Sequence, residues 1–132
     1  MKVRWEKLGV AQIPNNGGEL SLSRRPLEKN PEFSIRLSGI RGDLMNSREH
    51  YSEEVLAELG CAHLKGTDDA HVLVGGLGMG FTLAAALNEV TDSSAVTVAE
   101  LIPEVVEWNQ GPLGECAGDP LKDARVKVSV GD

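Results

Sequence analysis

Cysteine is scarce in this chain: among its 132 residues there are two, Cys61 and Cys116, and they lie far apart in the sequence. Two distant cysteines do not make the disulfide framework of a small secreted domain. Aromatic residues make up 4% of the chain. Its three histidines, His50, His63 and His71, show no ligand-pair spacing, so we expect no metal site.

Long apolar runs are also missing. No stretch approaches the roughly 18 residues of a membrane-spanning helix, and the opening MKVRWEKLGV has no apolar core of a secretory signal. We therefore expect a cytoplasmic protein that does not cross a membrane. The formal net charge is −7. An acidic chain repels phosphate backbones and anionic lipid surfaces, which argues against nucleic-acid and membrane-surface partners.

Hydrophobic residues make up 41% of the chain, which is enough to form a core. They follow two different patterns along the sequence. Residues 1–46 read as strands and turns: a strand over Val3–Ile13, a turn at 14–18, and alternating apolar and polar residues over 19–24 and 33–37. This pattern predicts a small N-terminal antiparallel β-hairpin region.

Residues 50–132 alternate between helix and strand. A helix with Val55, Leu56 and Leu59 on its apolar face should begin at Ser52, whose hydroxyl can cap it. The run 71–74 is apolar and predicts a strand buried on both faces. A helix over 81–90, a strand over 95–101, a helix from Pro103 and a strand over 125–130 follow. The fold class is therefore α/β, with a β-α-β-α-β half of a doubly wound, Rossmann-like sheet in which the third strand lies outermost.

A glycine-rich turn joins the first strand and helix of this second region. Its glycines, Gly76, Gly78 and Gly80, follow a G-x-G-x-G spacing, which matches neither the dinucleotide fingerprint nor the Walker pattern. Glycines at such a turn let the backbone approach a ligand closely, and the helix start offers free N–H groups. The spacing resembles the first motif of class I S-adenosylmethionine-dependent transferases.

Acidic residues end the next two strands. Glu100 ends the second, where a carboxylate can accept hydrogen bonds from ribose hydroxyls, and Asp132 ends the third, where the transferase resemblance implies a contact with adenine. The candidate cofactor-binding residues are Gly76, Leu77, Gly78, Gly80, Glu100, Leu101 and Asp132.

Most of the chain, and residues 71–132 most specifically, resembles the spermidine synthase branch of that transferase fold. The similar segments are 72–80, 99–106 and 123–132, and a short bacterial branch of the family shares the stretches 44–48, 52–54 and 75–83. The resemblance covers the N-terminal portion of such enzymes and implies a small β-domain ahead of the nucleoside domain. It also implies S-adenosylmethionine, or its decarboxylated form, as co-substrate, a polyamine as acceptor, and a place in polyamine biosynthesis.

Two features keep other functions open. The glycine turn has no acidic residue, although the family carries one there to hold the amine of the decarboxylated co-substrate. In this fold, moreover, the catalytic residues follow the fourth strand, and we expect them beyond Asp132, because residues 50–132 form a partial domain truncated after its third strand. The alternatives are a methyltransferase and a non-catalytic nucleoside-binding or assembly module.

Two further expectations follow from the pattern. His50 and Glu54 lie among acidic residues and could form the acceptor side of the site, although a solvated helix start explains them as well. A first strand without a fourth beside it would leave an open apolar edge, so we expect a homodimer or a larger assembly that covers it.

Overall fold

The computed structural model describes residues 4–132, which form two compact units divided between Glu49 and His50. The first unit contains four antiparallel strands in the order β1-β2-β3-β4. Their bounds are β1 Glu6–Ile13, β2 Gly18–Arg25, β3 Glu32–Leu37 and β4 Met45–Asn46. The antiparallel region is thus as predicted, although Val3, where the predicted strand began, lies outside the described residues.

Apolar side chains on one face of this sheet form its core, where Leu22 and Ile35 are paired across β2 and β3. The other face is polar but is also buried at Glu32 and Ser34. Burial would raise the pKa of Glu32, but hydrogen bonds from Asn46 and Arg25 outweigh it and lower that pKa. The alternating pattern therefore marks a polar network rather than a solvated face.

The second unit is built on three parallel strands in the order β5-β6-β7. The strands are β5 His71–Gly75, β6 Ala95–Glu100 and β7 Val126–Val130. The helices are α1 Tyr51–Cys61, α2 Phe81–Glu89 and α3 Pro103–Gln110. This is the predicted β-α-β-α-β half of a doubly wound sheet, with β7 outermost. None of the helices among residues 4–132 is long and apolar enough to cross a membrane.

Three sequence predictions for this unit were wrong. Helix α1 begins one residue before Ser52, whose hydroxyl donates to Glu53 instead of capping the helix. That helix buries Ala57 and Cys61 and leaves the predicted apolar face exposed at Leu56 and Leu59. Strand β5 is likewise not buried on both faces, because Leu73 in its middle is 70% exposed. An apolar run in a sequence identifies side chains that favour burial, but it does not identify the neighbouring element that would cover them.

Arg125, immediately before β7, holds the end of α2. Its guanidinium donates to the carbonyls of Leu87 and Val90, at 3.0 and 3.1 Å. These are among the carbonyls that a helix end leaves without an intrahelical partner. The same guanidinium bonds both carboxylate oxygens of Asp123, at 2.8 and 3.0 Å. These hydrogen bonds lower the pKa of Asp123 from 3.8 to about 2.

Replacing Asp123 with Asn should therefore change how stability depends on pH. A depressed carboxyl pKa stabilises the folded state above the unfolded value near 4, and that contribution disappears as the pH falls towards 2. Asp123→Asn should cost about 1–2 kcal/mol at pH 7, after allowance for solvent screening, and almost nothing at pH 2. Urea unfolding across that range measures it, with the exposed Asp68→Asn as control. A deficit independent of pH would contradict the role of the ion pair.

Candidate functional site

The turn between β5 and α2 has a backbone that only glycine adopts easily. Gly76, Gly78 and Gly80 have φ values of +91°, +55° and +87°. These values lie in the left-handed region, which a Cβ atom disfavours by roughly 1–2 kcal/mol. The turn closes with a hydrogen bond of 2.9 Å from the Gly80 N–H to the Leu77 carbonyl. The G-x-G-x-G spacing in the sequence thus corresponds to three residues whose backbone conformation is left-handed.

These glycines differ in what surrounds them. A Cβ atom added to Gly76 would meet nothing within 4 Å, so open space adjoins this residue. A Cβ atom on Gly80 would lie 3.2 Å from both the Asn109 side-chain oxygen and the Pro120 ring. Gly80 therefore packs the turn onto the rest of the unit, while Gly76 leaves its backbone open to a ligand.

The carboxylate of Glu100 holds this turn to the end of β6. It accepts hydrogen bonds from the backbone N–H of Leu77, at 2.9 Å, and of Ile102, at 3.1 Å. Glu100 is buried, with 8% of its surface exposed. Charge-assisted hydrogen bonds of this kind are stronger than neutral ones, so one side chain fixes both the glycine turn and the start of the segment leading to α3.

Asn109 gives the turn a second anchor that sequence reasoning missed. Its side-chain amide donates to the carbonyls of Gly78 and Val105, both at 2.8 Å, and the residue is buried. In the sequence it is one asparagine on the buried face of a short helix, a pattern that also fits an ordinary helix end. Only the position of the Gly78 carbonyl, 31 residues away, reveals its role.

The seven predicted cofactor-binding residues lie where strands β5, β6 and β7 end, at one edge of the parallel sheet. The third strand end is tied to the second because the Gly131 N–H donates to the Glu100 carbonyl at 2.9 Å. Exposure separates the seven into three groups. Gly76, Leu101 and Asp132 are exposed, Gly78 is half-buried, and Leu77, Gly80 and Glu100 are buried.

The helix that follows the turn adds donors to this edge. Helix α2 has nine residues and begins at Phe81, directly after Gly80. The first N–H groups of a helix have no intrahelical acceptor, and the helix dipole makes that end positive. The start of α2 therefore offers backbone N–H donors directly after the glycine turn.

The structure brings His50 and Glu54, the predicted acceptor side, into direct contact. The Nδ1 atom of His50 bonds a carboxylate oxygen of Glu54. The imidazole also stacks on the Phe81 ring, with centroids 3.9 Å apart and an interplanar angle of 10°. Because Phe81 is the first residue of α2, the pair is linked through one ring to the end of the glycine turn.

A cavity of about 350 Å³ opens beside this pair, between α1 and α2. Carboxylates on both helices line it, from Glu54 and Glu58 on α1 and from Glu89 on α2. None of its described lining residues is Lys or Arg. The cavity is therefore acidic and partly apolar, a combination that suits an amine with a hydrocarbon body.

Comparison with solved structures identifies the architecture. One match is a spermidine synthase in complex with the transition state analogue AdoDATO, and another is the spermidine synthase from Thermotoga maritima. The fold is spermidine synthase-like. Each match has a TM-score of 0.69 and 20% sequence identity, and covers 96% of this chain. The chain spans about two fifths of those proteins, namely 41% and 40% of their lengths.

At this identity the likeness establishes the fold alone, and the resemblance stated from the motifs is confirmed at that level. The matching part of those proteins is their N-terminal region, an antiparallel sheet followed by a parallel one. No family model and no curated protein sequence matches the chain.

Removing the Asn109 amide should loosen the glycine turn. Asn109→Ala leaves the half-buried Gly78 carbonyl and the buried Val105 carbonyl without this donor, and we expect a loss of about 2 kcal/mol in the free energy of unfolding. Hydrogen exchange at the amides of 77–80 should quicken in the same variant. Asn88→Ala, an exposed asparagine on α2, serves as the control. If the two variants unfold at the same denaturant concentration, Asn109 does not anchor the turn.

Proposed function

We propose that the carboxyl edge of the parallel sheet binds a nucleoside of the S-adenosylmethionine type. The observation that carries this proposal is the left-handed glycine turn, open at Gly76 and hydrogen-bonded through Leu77 to a carboxylate on the neighbouring strand. Ligands of doubly wound sheets bind at this edge, and glycines here let the backbone approach them. A nucleoside without a pyrophosphate fits the spacing better than a dinucleotide does.

Glu100 is suited to the ribose. Each of its oxygens accepts one backbone hydrogen bond, which leaves further lone pairs for hydroxyl donors. Beside it, Leu101 offers an exposed apolar surface for the adenine ring, and Asp132 an acceptor for the adenine amino group. In this proposal the ends of β6 and β7 contact the ribose and the adenine, and the glycine turn after β5 faces the sulfur-bearing part of the ligand.

The whole protein's activity is, in this proposal, group transfer from the sulfonium. An amine nitrogen attacks the carbon next to sulfur, the C–S bond breaks, and its electrons return to sulfur to give a thioether. The new C–N bond forms as the amine loses a proton. The acidic cavity beside His50 and Glu54 attracts a cationic acceptor such as a polyamine and brings it towards the turn. Aminopropyl transfer would be the reaction expected of a protein that resembles spermidine synthases in function as well as in fold.

Methyl transfer is the second candidate, and one observation favours it. Residues 75–80 include no carboxylate, and Met79 within them is buried. An acid at this turn would attract the amine of decarboxylated S-adenosylmethionine and repel the carboxylate of the intact compound. Its absence removes that discrimination. The two candidates differ in the preferred nucleoside, which a titration measures directly.

Isothermal calorimetry with S-adenosylmethionine, its decarboxylated form and methylthioadenosine tests both readings. Preference for the decarboxylated form supports aminopropyl transfer, and preference for the intact form supports methyl transfer. Gly76→Ala should weaken binding of whichever nucleoside binds by at least about tenfold, because a methyl group enters the space beside the turn.

Gly66→Ala is the matched control for that variant. Gly66 also has a positive φ, +74°, with nothing within 4 Å of an added Cβ atom, but it precedes β5 at the opposite end of the strand. Both variants should lose similar stability, and only Gly76→Ala should lose affinity. Wild-type protein that binds none of the three nucleosides would refute the proposed function.

Glu100→Gln should reduce both stability and affinity. A glutamine presents one acceptor oxygen where the carboxylate presents two, so it cannot bond both the Leu77 and Ile102 N–H groups. We expect nucleoside binding to weaken by about 1.5–3 kcal/mol, measured by calorimetry beside the exposed Glu107→Gln. Asn109→Ala separates the two effects, because it loosens the turn but keeps the carboxylate. Unchanged affinity in Glu100→Gln would place the ribose elsewhere.

A further inference from the structure

The connector between α3 and β7, residues 111–125, packs against the glycine turn. A Cβ atom added to Gly80 would lie 3.2 Å from the Pro120 ring and 3.6 Å from the Cβ atom of Ala117. Both residues belong to the connector, and Pro120 is buried. The connector therefore supports the turn at Gly80, directly before α2 begins.

Backbone hydrogen bonds fix the path of the connector. The Leu113 N–H donates to the Trp108 carbonyl of α3 at 2.8 Å, and the Asp119 N–H donates to the Gly114 carbonyl at 2.7 Å. Leu113 is fully buried. Asp119 has a left-handed backbone, with φ +53°, which aspartate adopts more readily than most residues do. The connector is thus tied to α3 at one end and folded back on itself at Gly114.

Gly114 has less space around it than Gly111 or Gly118, the other glycines of the connector. A Cβ atom added to Gly114 would overlap a carboxylate oxygen of Asp119 and would lie 2.9 Å from the backbone carbonyl oxygen of Asn109. The first contact is easily relieved, because the carboxylate ends a side chain that can rotate. The second is not, because the carbonyl belongs to the last turn of α3. A side chain at position 114 would therefore displace the backbone of Asn109.

A displacement of Asn109 would reach the glycine turn directly. Its side-chain amide donates to the Gly78 carbonyl at 2.8 Å, and its side-chain oxygen lies against Gly80. Closely packed interiors transmit a shift of this kind to their neighbours. Gly76 is two residues before Gly78, so a movement of the Gly78 carbonyl would change the backbone that the turn presents to a ligand.

We propose that Gly114 is a positioning residue for the nucleoside site and that it acts through Asn109; this inference rests on the function proposed above. Because position 114 has no side chain, the Asn109 backbone lies where its amide reaches the Gly78 carbonyl. The exposed backbone at Gly76 is held in place as a result. Gly114 makes no contact with the nucleoside in this arrangement, and its effect is on the shape of the turn.

Calorimetry of the 132-residue chain with S-adenosylmethionine, its decarboxylated form and methylthioadenosine tests the proposal. Asp119→Gly serves as the background, because it removes the carboxylate that a new Cβ atom would meet and replaces a left-handed aspartate with a residue that adopts this conformation freely. This background should bind as tightly as the wild type. Gly114→Ala within it meets the Asn109 carbonyl and should raise the nucleoside dissociation constant by about tenfold or more.

Gly118→Ala in the same background is the matched control. Gly118 also lies in the connector and has φ +78°, but an added Cβ atom would meet nothing within 4 Å. This variant should lose stability and keep its affinity. All variants are compared in trimethylamine N-oxide, which favours the folded state and so keeps the destabilised ones folded.

Two further measurements separate positioning from a general loss of stability. Hydrogen exchange at the amides of 77–80, in protein without ligand, should quicken with Gly114→Ala and not with Gly118→Ala. In an Asn109→Ala background, Gly114→Ala should have no further effect on affinity, because the amide that transmits the shift is gone.

The possible failures are distinguishable. If the wild type binds none of the three nucleosides, the proposed function fails and this inference fails with it. If the wild type binds and Gly114→Ala binds equally tightly, the positioning role alone is overturned. Equal exchange rates in the two alanine variants, or an affinity loss that persists without the Asn109 amide, would also overturn it.

Discussion

The buried carboxylate of Glu100 is the contact on which the second unit's functional edge depends. Parallel strand pairing places the carboxyl ends of the strands at one edge of the sheet, but it does not determine the conformation of the loops that follow them. Further contacts are needed to hold those loops. Here the last residue of the central strand bonds the Leu77 N–H of one loop and the Ile102 N–H of the next. Its own carbonyl accepts from Gly131 after the third strand. One residue therefore fixes the relative position of all three strand ends.

This arrangement explains why a glycine turn with three left-handed residues can be stable. Each such residue costs conformational entropy, and the turn has no side chains of its own that could hold it through packing beyond Leu77 and Met79. The compensation comes from outside the turn, from the Glu100 carboxylate on one side and the Asn109 amide on the other. The backbone at Gly76 then stays exposed in a fixed geometry, which is the pre-organisation that a ligand site requires.

The sequence allowed the fold class, the strand order and the place of the glycine turn to be predicted, because periodicity and left-handed turns leave local marks. It did not reveal Asn109 or the structural role of Glu100, since both depend on contacts made across 23 to 31 residues. The same limit explains the errors at Leu73, Leu56 and Leu59. Apolar periodicity identifies side chains that favour burial, but the neighbour that covers them is a tertiary fact. Where no described element covers such a side chain, the pattern correctly identifies it as apolar but wrongly predicts that it is buried.

Because Glu100 serves both the turn and the proposed ribose contact, stability and affinity at this site are coupled. A carboxylate has enough lone pairs to accept hydrogen bonds from the backbone N–H groups and from ribose hydroxyls at the same time. A nucleoside bound through its hydroxyls would therefore add to the hydrogen bonds that hold the Glu100 side chain in place. Any ligand that binds only the folded turn stabilises it by mass action. The carboxylate that orders the empty turn is the group that would transmit the presence of a ligand to the other two strand ends.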